Sequence, residues 1–172
     1  MILTPDQDQK LDQLYLPFAS KVEGFLVDAK AQGFNVGLFE GLRTYDRQKE
    51  LWLQGRDQSG NVVDPSKIVT KSPPGMSLHQ YGLAVDIVFD ADAVKPGWQW
   101  SWDAKWPWKK LADLGQSHGL EAAYYWKRFP EAPHFQCSFG FKIHELLSLY
   151  LQGGLTHVWD EIDRVKKSTK ES

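Results

Sequence analysis

Ser77-Leu78-His79-Gln80-Tyr81-Gly82-Leu83-Ala84-Val85-Asp86-Ile87-Val88-Phe89 is the stretch on which the fold turns. From Ala84 to Phe89 it is apolar at every position but Asp86, and it reads as a buried strand. Side chains alternate along a strand, so Asp86 shares a face with Ala84 and Val88, while Val85, Ile87 and Phe89 point the other way. A carboxylate in such a strand is costly to bury unless it is paired or bound to metal, so Asp86 needs a partner. His79 lies seven residues upstream in a Pro/Gly-rich loop that can fold back to meet Asp86 at one ion.

Working outward, Phe34 to Glu40 reads as a second strand, and His134 to Gln136 as a short third one. Thr4-Pro5-Asp6-Gln7 has the form of a helix start, with Thr4 as cap, Pro5 in the first turn and Gln7 closing a capping box. Pro17 breaks or restarts that helix. Val22, Phe25, Leu26 and Ala29 then share one face of a segment ended by Gly33. Thr44 caps a helix that ends near Gly55, with Leu51 and Trp52 as its apolar anchors. Residues 55–76 are rich in Gly, Ser, Asp and Pro, a long loop of the kind that is functional or disordered. Pro107 opens a helix that runs to His118 and stops at Gly119, and helices near 141–151 and 156–166 close the chain. The order gives an α+β fold, a small mainly antiparallel sheet with helices packed around it, as a single domain over 1–172 with a polar, frayed tail at about 167–172.

Composition narrows the class. The chain has 172 residues, 42% hydrophobic and 24% charged, ordinary values for a globular domain. No apolar run approaches the roughly 18 residues of a membrane span. A formal net charge of −2 argues against a nucleic-acid partner, which selects a basic excess. Cys137 is the one cysteine, so no internal disulfide can form; its place in the strand pattern puts it in the core. No basic segment followed by an apolar one marks a secretory signal at the N-terminus. That suggests accumulation in the cytoplasm; a monomer without membrane insertion is expected.

A catalytic zinc takes three protein ligands and leaves a fourth position for water. His79, Asp86 and His134 form a suitable set. Taken alone, two histidines and an aspartate spread from 79 to 134 are weak evidence for a metal, and fit as well a buried Asp86 paired with Arg43 and histidines satisfied by ordinary hydrogen bonds, the commoner case. His118, His144 and His157 fall outside the set. Five tryptophans between Trp98 and Trp108 either line a groove for sugar or peptide or fill a core.

Ser77-x-His79-x-x-Gly82-x-x-x-Asp86, with Pro133-His134-Phe135 downstream, resembles the zinc D-alanyl-D-alanine carboxypeptidase and L-alanyl-D-glutamate endopeptidase family, which includes VanX- and VanY-type enzymes and phage endolysins. The similarity runs from Gly33 to about Gln136 and takes in Gly41-Leu42-Arg43-Thr44 and Gln54-Gly55-Arg56. It implies a Zn2+ cofactor on His79, Asp86 and His134, and peptidoglycan stem peptides as partner, reached by release from the cytoplasm to the wall. It implies Glu131 as general base, with Glu121 a second choice. Arg43 would stabilise an oxyanion or clamp a substrate carboxylate, unless it forms an ion pair with Asp46 or Glu40. Ser77 would assist by hydrogen bonding, or serve as a plain turn residue. Gln80 and Tyr81 would shape the pocket.

Gly119-Leu120-Glu121 and His134-Phe135-Gln136 favour the endopeptidase branch, and so cleavage of the L-Ala–D-Glu bond. Two departures bear on the bond cut. Endopeptidases of this type follow Gly-Leu-Glu with Trp-Gly-Gly, whereas this chain has Ala122-Ala123-Tyr124; they also more often carry Asp at position 131. The alternatives are a D-alanyl-D-alanine carboxypeptidase or dipeptidase, and a non-catalytic zinc-containing wall-binding module.

Overall fold

A computed structural model describes residues 5–170. Five helices, α1 (Pro5–Asp12), α2 (Leu16–Ala31), α3 (Tyr45–Leu53), α4 (Trp108–Ser117) and α5 (Ile143–Lys170), accompany five strands. The strands are β1 (Val36–Glu40), β2 (Ala84–Asp90), β3 (Trp100–Ser101), β4 (Glu121–Ala122) and β5 (His134–Gln136). Every strand pair is antiparallel, as expected for the α+β class. The chain forms two compact units, one of residues up to Leu42 with Gly82–Cys137, the other of Arg43–Tyr81 with the residues from Ser138 onward.

In the first unit β2 is the central strand. β1 pairs with one of its edges, while β5 and β3 share the other, β5 alongside Ala84 to Asp86 and β3 alongside Phe89 and Asp90. β4 adds to β5. Val85 lies opposite Phe135 in the β2–β5 register, and the Phe135 ring packs on Phe25 of α2 with centroids 4.8 Å apart. α2 buries Phe18, Val22, Phe25, Leu26 and Ala29, and α4 buries Leu111 and Ala112. Burial of each large apolar side chain stabilises the unit by about 1.5–3 kcal/mol. Gly115 lets α4 lie close to the sheet, since a Cβ there would sit 2.4 Å from Phe135 Cε1.

Several sequence expectations change here. Thr4 lies outside the described residues. The capping box expected of Thr4 and Gln7 therefore lies partly outside the described residues; the Gln7 side chain, only 1% exposed, donates to the Leu38 carbonyl at 3.1 Å and accepts from the Leu38 N–H. An amide side chain thus satisfies both backbone groups of one β1 residue, as a neighbouring strand would. The strand begins at Val36 rather than Phe34. Cys137 lies just past β5 and is half-buried, its N–H bonded to the Leu83 carbonyl. The tryptophans make ring contacts at the sheet and divide in burial. Trp98 stacks on Trp100 at 4.6 Å and covers Gly37, Trp106 stacks on Phe89 at 5.0 Å, and Phe39 meets the edges of Trp100 and Trp102. Of the five, Trp108 alone is buried.

In the second unit Thr44 caps α3 by accepting from the Arg47 N–H at 3.1 Å. The helix is anchored not by Leu51 and Trp52, which are half-buried, but by Gln48, which is fully buried. Gln48 accepts from the Arg43 guanidinium at 2.9 Å and donates to the Ser72 carbonyl at 2.7 Å. The amide replaces an apolar anchor because it can serve both groups at once. The 55–76 loop is held by its own polar groups: Asp57 accepts from the Ser59 and Asn61 N–H groups, and Arg56 donates to the Trp52 and Thr70 carbonyls. Gly55 has φ +75°, and a Cβ there would sit 2.4 Å from the Asp64 carbonyl oxygen.

α5 is broken at Gly153 and Gly154, the latter at φ 70°, which accounts for the two helices expected. It continues as helix to Lys170, so residues 167–170 are not the frayed tail anticipated; 171 and 172 lie outside the described residues. Trp159 of α5 donates its indole N–H to the Tyr81 carbonyl at 2.8 Å. Among the described residues, no helix is long and apolar enough to cross a membrane.

Two substitutions test this packing. Gly to Ala inside a helix ordinarily gains up to about 1 kcal/mol. Gly115→Ala is instead expected to lose about 1–3 kcal/mol by overpacking against Phe135, read as a lowered denaturation midpoint. Gln48→Leu, similar in volume, is expected to cost about 1.5–3 kcal/mol by removing a hydrogen bond to a charged group, measured by urea unfolding.

Candidate metal centre

The β2–β5 register sets Asp86 directly opposite His134. Directly opposed residues of an antiparallel pair project from the same face, while Val85 and Phe135 turn to the other. His134 Nδ1 lies 3.3 Å from Asp86 Oδ1, with side chains 8% and 17% exposed. Glu131, in the turn before β5, brings Oε2 to 4.0 Å from the same nitrogen. That turn is fixed by the Glu131 N–H, which donates to the Ala123 carbonyl at 3.1 Å.

His79 enters on the short 3-10 turn Leu78–Tyr81 and is 1% exposed. This turn is pinned by its own side chains. Gln80 accepts from the Gly75 N–H and Tyr81 donates its hydroxyl to the Gly75 carbonyl, each at 2.6 Å. Burial, with Tyr150 nearby, pushes the Tyr81 phenol up to about 12. The expected trio is brought together: His79, Asp86 and His134 each offer a ligand atom, and these atoms all lie within 4.8 Å of one another.

The electrostatics fit a cation. Burial disfavours the His134 imidazolium, yet the hydrogen bond and charge of Asp86, the Gln136 side chain and Glu131 outweigh it, and the pKa is raised. A nitrogen facing two carboxylates calls for positive charge beside it, supplied by a proton or by a metal. Two imidazoles and one carboxylate are a donor set suited to a divalent transition-series ion. The three residues could hold such a metal.

Arg43 is buried, its guanidinium on Gln48 and its N–H donating to the His79 carbonyl at 3.1 Å. Ser77 is buried at the start of the His79 turn, where its carbonyl accepts from the Gln80 N–H. Glu121 is engaged by neighbours, accepting from Gln136 Nε2 at 2.9 Å and from Trp126 Nε1 at 2.6 Å. The Trp126 ring lies 5.4 Å from that of His134. Gln48, Gln136 and Trp126 were not singled out as site residues in the sequence. Gln136 stood inside a quoted motif, but no local pattern distinguishes Gln48 or Trp126.

The VanY family model, described as D-alanyl-D-alanine carboxypeptidase, matches residues 12–132, a span that contains His79, Asp86 and Glu131. The peptidoglycan L-alanyl-D-glutamate endopeptidase CwlK of Bacillus subtilis (strain 168) is 33% identical over 112 residues, covering 63% of this chain and 64% of that protein. The match thus spans slightly less than two thirds of that relative's length. Among solved structures, the L-Ala D-Glu endopeptidase ChiX of Serratia marcescens is similar in fold, with TM-score 0.55, 22% identity, and coverage of 80% of this chain and 90% of that one. The vancomycin resistance D,D-pentapeptidase VanY from a VanB-type cassette, solved with Zn(II), gives TM-score 0.50 and 20% identity, covering 85% of this chain and 81% of that one. With the family model spanning most of its length and the His-Asp-His group in place, this chain belongs to the VanY D-alanyl-D-alanine carboxypeptidase family.

Proposed function

We propose that this protein is a zinc metallopeptidase of the peptidoglycan stem peptide, cutting the L-Ala–D-Glu bond, and that residues 1–172 act as one monomeric catalytic domain. The observation that carries the reading is the His79–Asp86–His134 group with the Glu131 carboxylate beside it. The family membership and the curated relative CwlK, whose name states the L-alanyl-D-glutamate endopeptidase activity, support the choice of substrate and bond.

His79, Asp86 and His134 would hold the zinc. When bound, zinc supplies Lewis acidity, lowering the pKa of a coordinated water toward about 7 and polarising the scissile carbonyl. Glu131 is the general base. It is about one quarter exposed, at 26%, open enough to exchange a proton with solvent-derived water yet next to the ligand group. It takes the proton of the attacking water and returns it to the leaving amine. Arg43, held by Gln48 at one end, presents a fixed positive charge for the developing oxyanion or a substrate carboxylate. Ser77 assists by hydrogen bonding.

Purified peptidoglycan incubated with the zinc-loaded protein is expected to release fragments with new free amino groups on D-Glu, identified by mass spectrometry. Loss of terminal D-Ala alone would establish a carboxypeptidase instead. Glu131→Gln is expected to keep one equivalent of zinc by metal analysis while cleavage falls by about 10²–10⁴-fold, the usual contribution of a positioned base. Unchanged cleavage would remove Glu131 from the mechanism.

A further inference from the structure

Behind His134 stands a second row of side chains. Gln136 follows His134 by two residues on β5, so both project from one face. Its Oε1 meets His134 Nε2 at 3.0 Å, and its Nε2 donates to Glu121 Oε2 at 2.9 Å. Glu121 lies opposite Gln136 in the β4–β5 register, just as Asp86 lies opposite His134 in the β2–β5 register. The other Glu121 oxygen accepts from the Trp126 indole, whose ring flanks His134. One exposed carboxylate therefore grips two neighbours of the buried histidine.

The row can be ordered in only one way. A carboxylate only accepts, so the Gln136 amide must turn its NH2 end toward Glu121. The amide oxygen then faces His134, and because it also only accepts, Nε2 must carry the hydrogen. In a ring that carries no second proton, this leaves the unshared pair on Nδ1, the nitrogen facing Asp86, where a metal takes the place of the proton that the carboxylate would otherwise hold. Partners of this kind fix the tautomer and ring orientation of metal-binding histidines.

We propose that Gln136, locked by Glu121, is a positioning residue that sets the Nε2–H tautomer of His134 and so presents Nδ1 as the metal-binding nitrogen. The inference rests on the zinc reading above. It adds a role for two residues outside the His79–Asp86–His134 group.

The test is zinc affinity, measured by competition with a chromogenic chelator, together with 15N NMR of the histidine rings in the zinc-loaded protein. Gln136→Met keeps the volume and removes the acceptor; it is expected to weaken zinc binding by about 10–100-fold, as losses of such supporting partners do. Exchange of the pair, Gln136→Glu with Glu121→Gln, keeps the logic, since the carboxylate then accepts from both His134 and the new amide. It is expected to restore affinity to within about threefold of the unaltered protein, well inside the loss caused by removing a supporting partner. In the unaltered protein the NMR spectrum is expected to show His134 protonated at Nε2 and metal-bound at Nδ1.

Metal on Nε2, a Gln136→Met affinity within about threefold of the starting value, or an exchanged pair as weak as Gln136→Met would each overturn the proposal. These outcomes leave the zinc reading standing. Failure of the unaltered protein to take up zinc would end both.

Discussion

The antiparallel pairing of β2 with β5 is the constraint on which the site depends. It sets a carboxylate and an imidazole side by side on one face, 3.3 Å apart at their nearest polar atoms. A slip of one residue would leave Asp86 and His134 on opposite faces, one of them among Phe25 and the packed helices, where it could be neither solvated nor paired. The register is held by the apolar contacts of that other face. Val85 lies opposite Phe135, and Phe135 is packed on Phe25 and seated against Gly115. The hydrophobic effect on one side of the strand thereby determines the electrostatics on the other.

Much of the remaining structure is secured by polar side chains that stand in for backbone. Gln7 bonds to both backbone groups of Leu38, Gln48 joins Arg43 to the Ser72 carbonyl, and Gln80 with Tyr81 binds Gly75. An amide side chain carries a donor and an acceptor at one end, so a single residue can complete two orphaned partners. Glutamine thus recurs where a loop or helix must be fixed without a ladder partner. The result is a set of functional side chains on loops and short turns whose positions are nonetheless defined, the condition for preorganised chemistry.

Family membership and local geometry address different parts of the chemistry. In the proposed mechanism the His-Asp-His group and the nearby carboxylate serve water activation, a task separate from the choice of bond. The bond selected depends on the surroundings. There this chain has its own features: Ala123–Tyr125 forms a short 3-10 turn, and Trp126 bonds to Glu121 beside the buried histidine.

The alternation around Asp86 was enough to identify a buried strand carrying an unaccompanied carboxylate, and the caps and breakers Thr44, Gly33 and Gly119 were enough to bound three helices. These signals are local, arising from backbone geometry and solvation within a few residues. The motif residues His79, Asp86, His134 and Glu131 were legible through resemblance, since their separation along the chain says nothing of their separation in space. What only the tertiary structure decided was the pairing. The Gln7 side chain bonds to a strand, Leu51 and Trp52 are half-buried where Gln48 is fully buried, and Glu121, the second choice as base, holds Gln136 and Trp126. Each depends on a partner far away in sequence, and hydrogen bonds of that range leave no periodic trace in the chain that makes them.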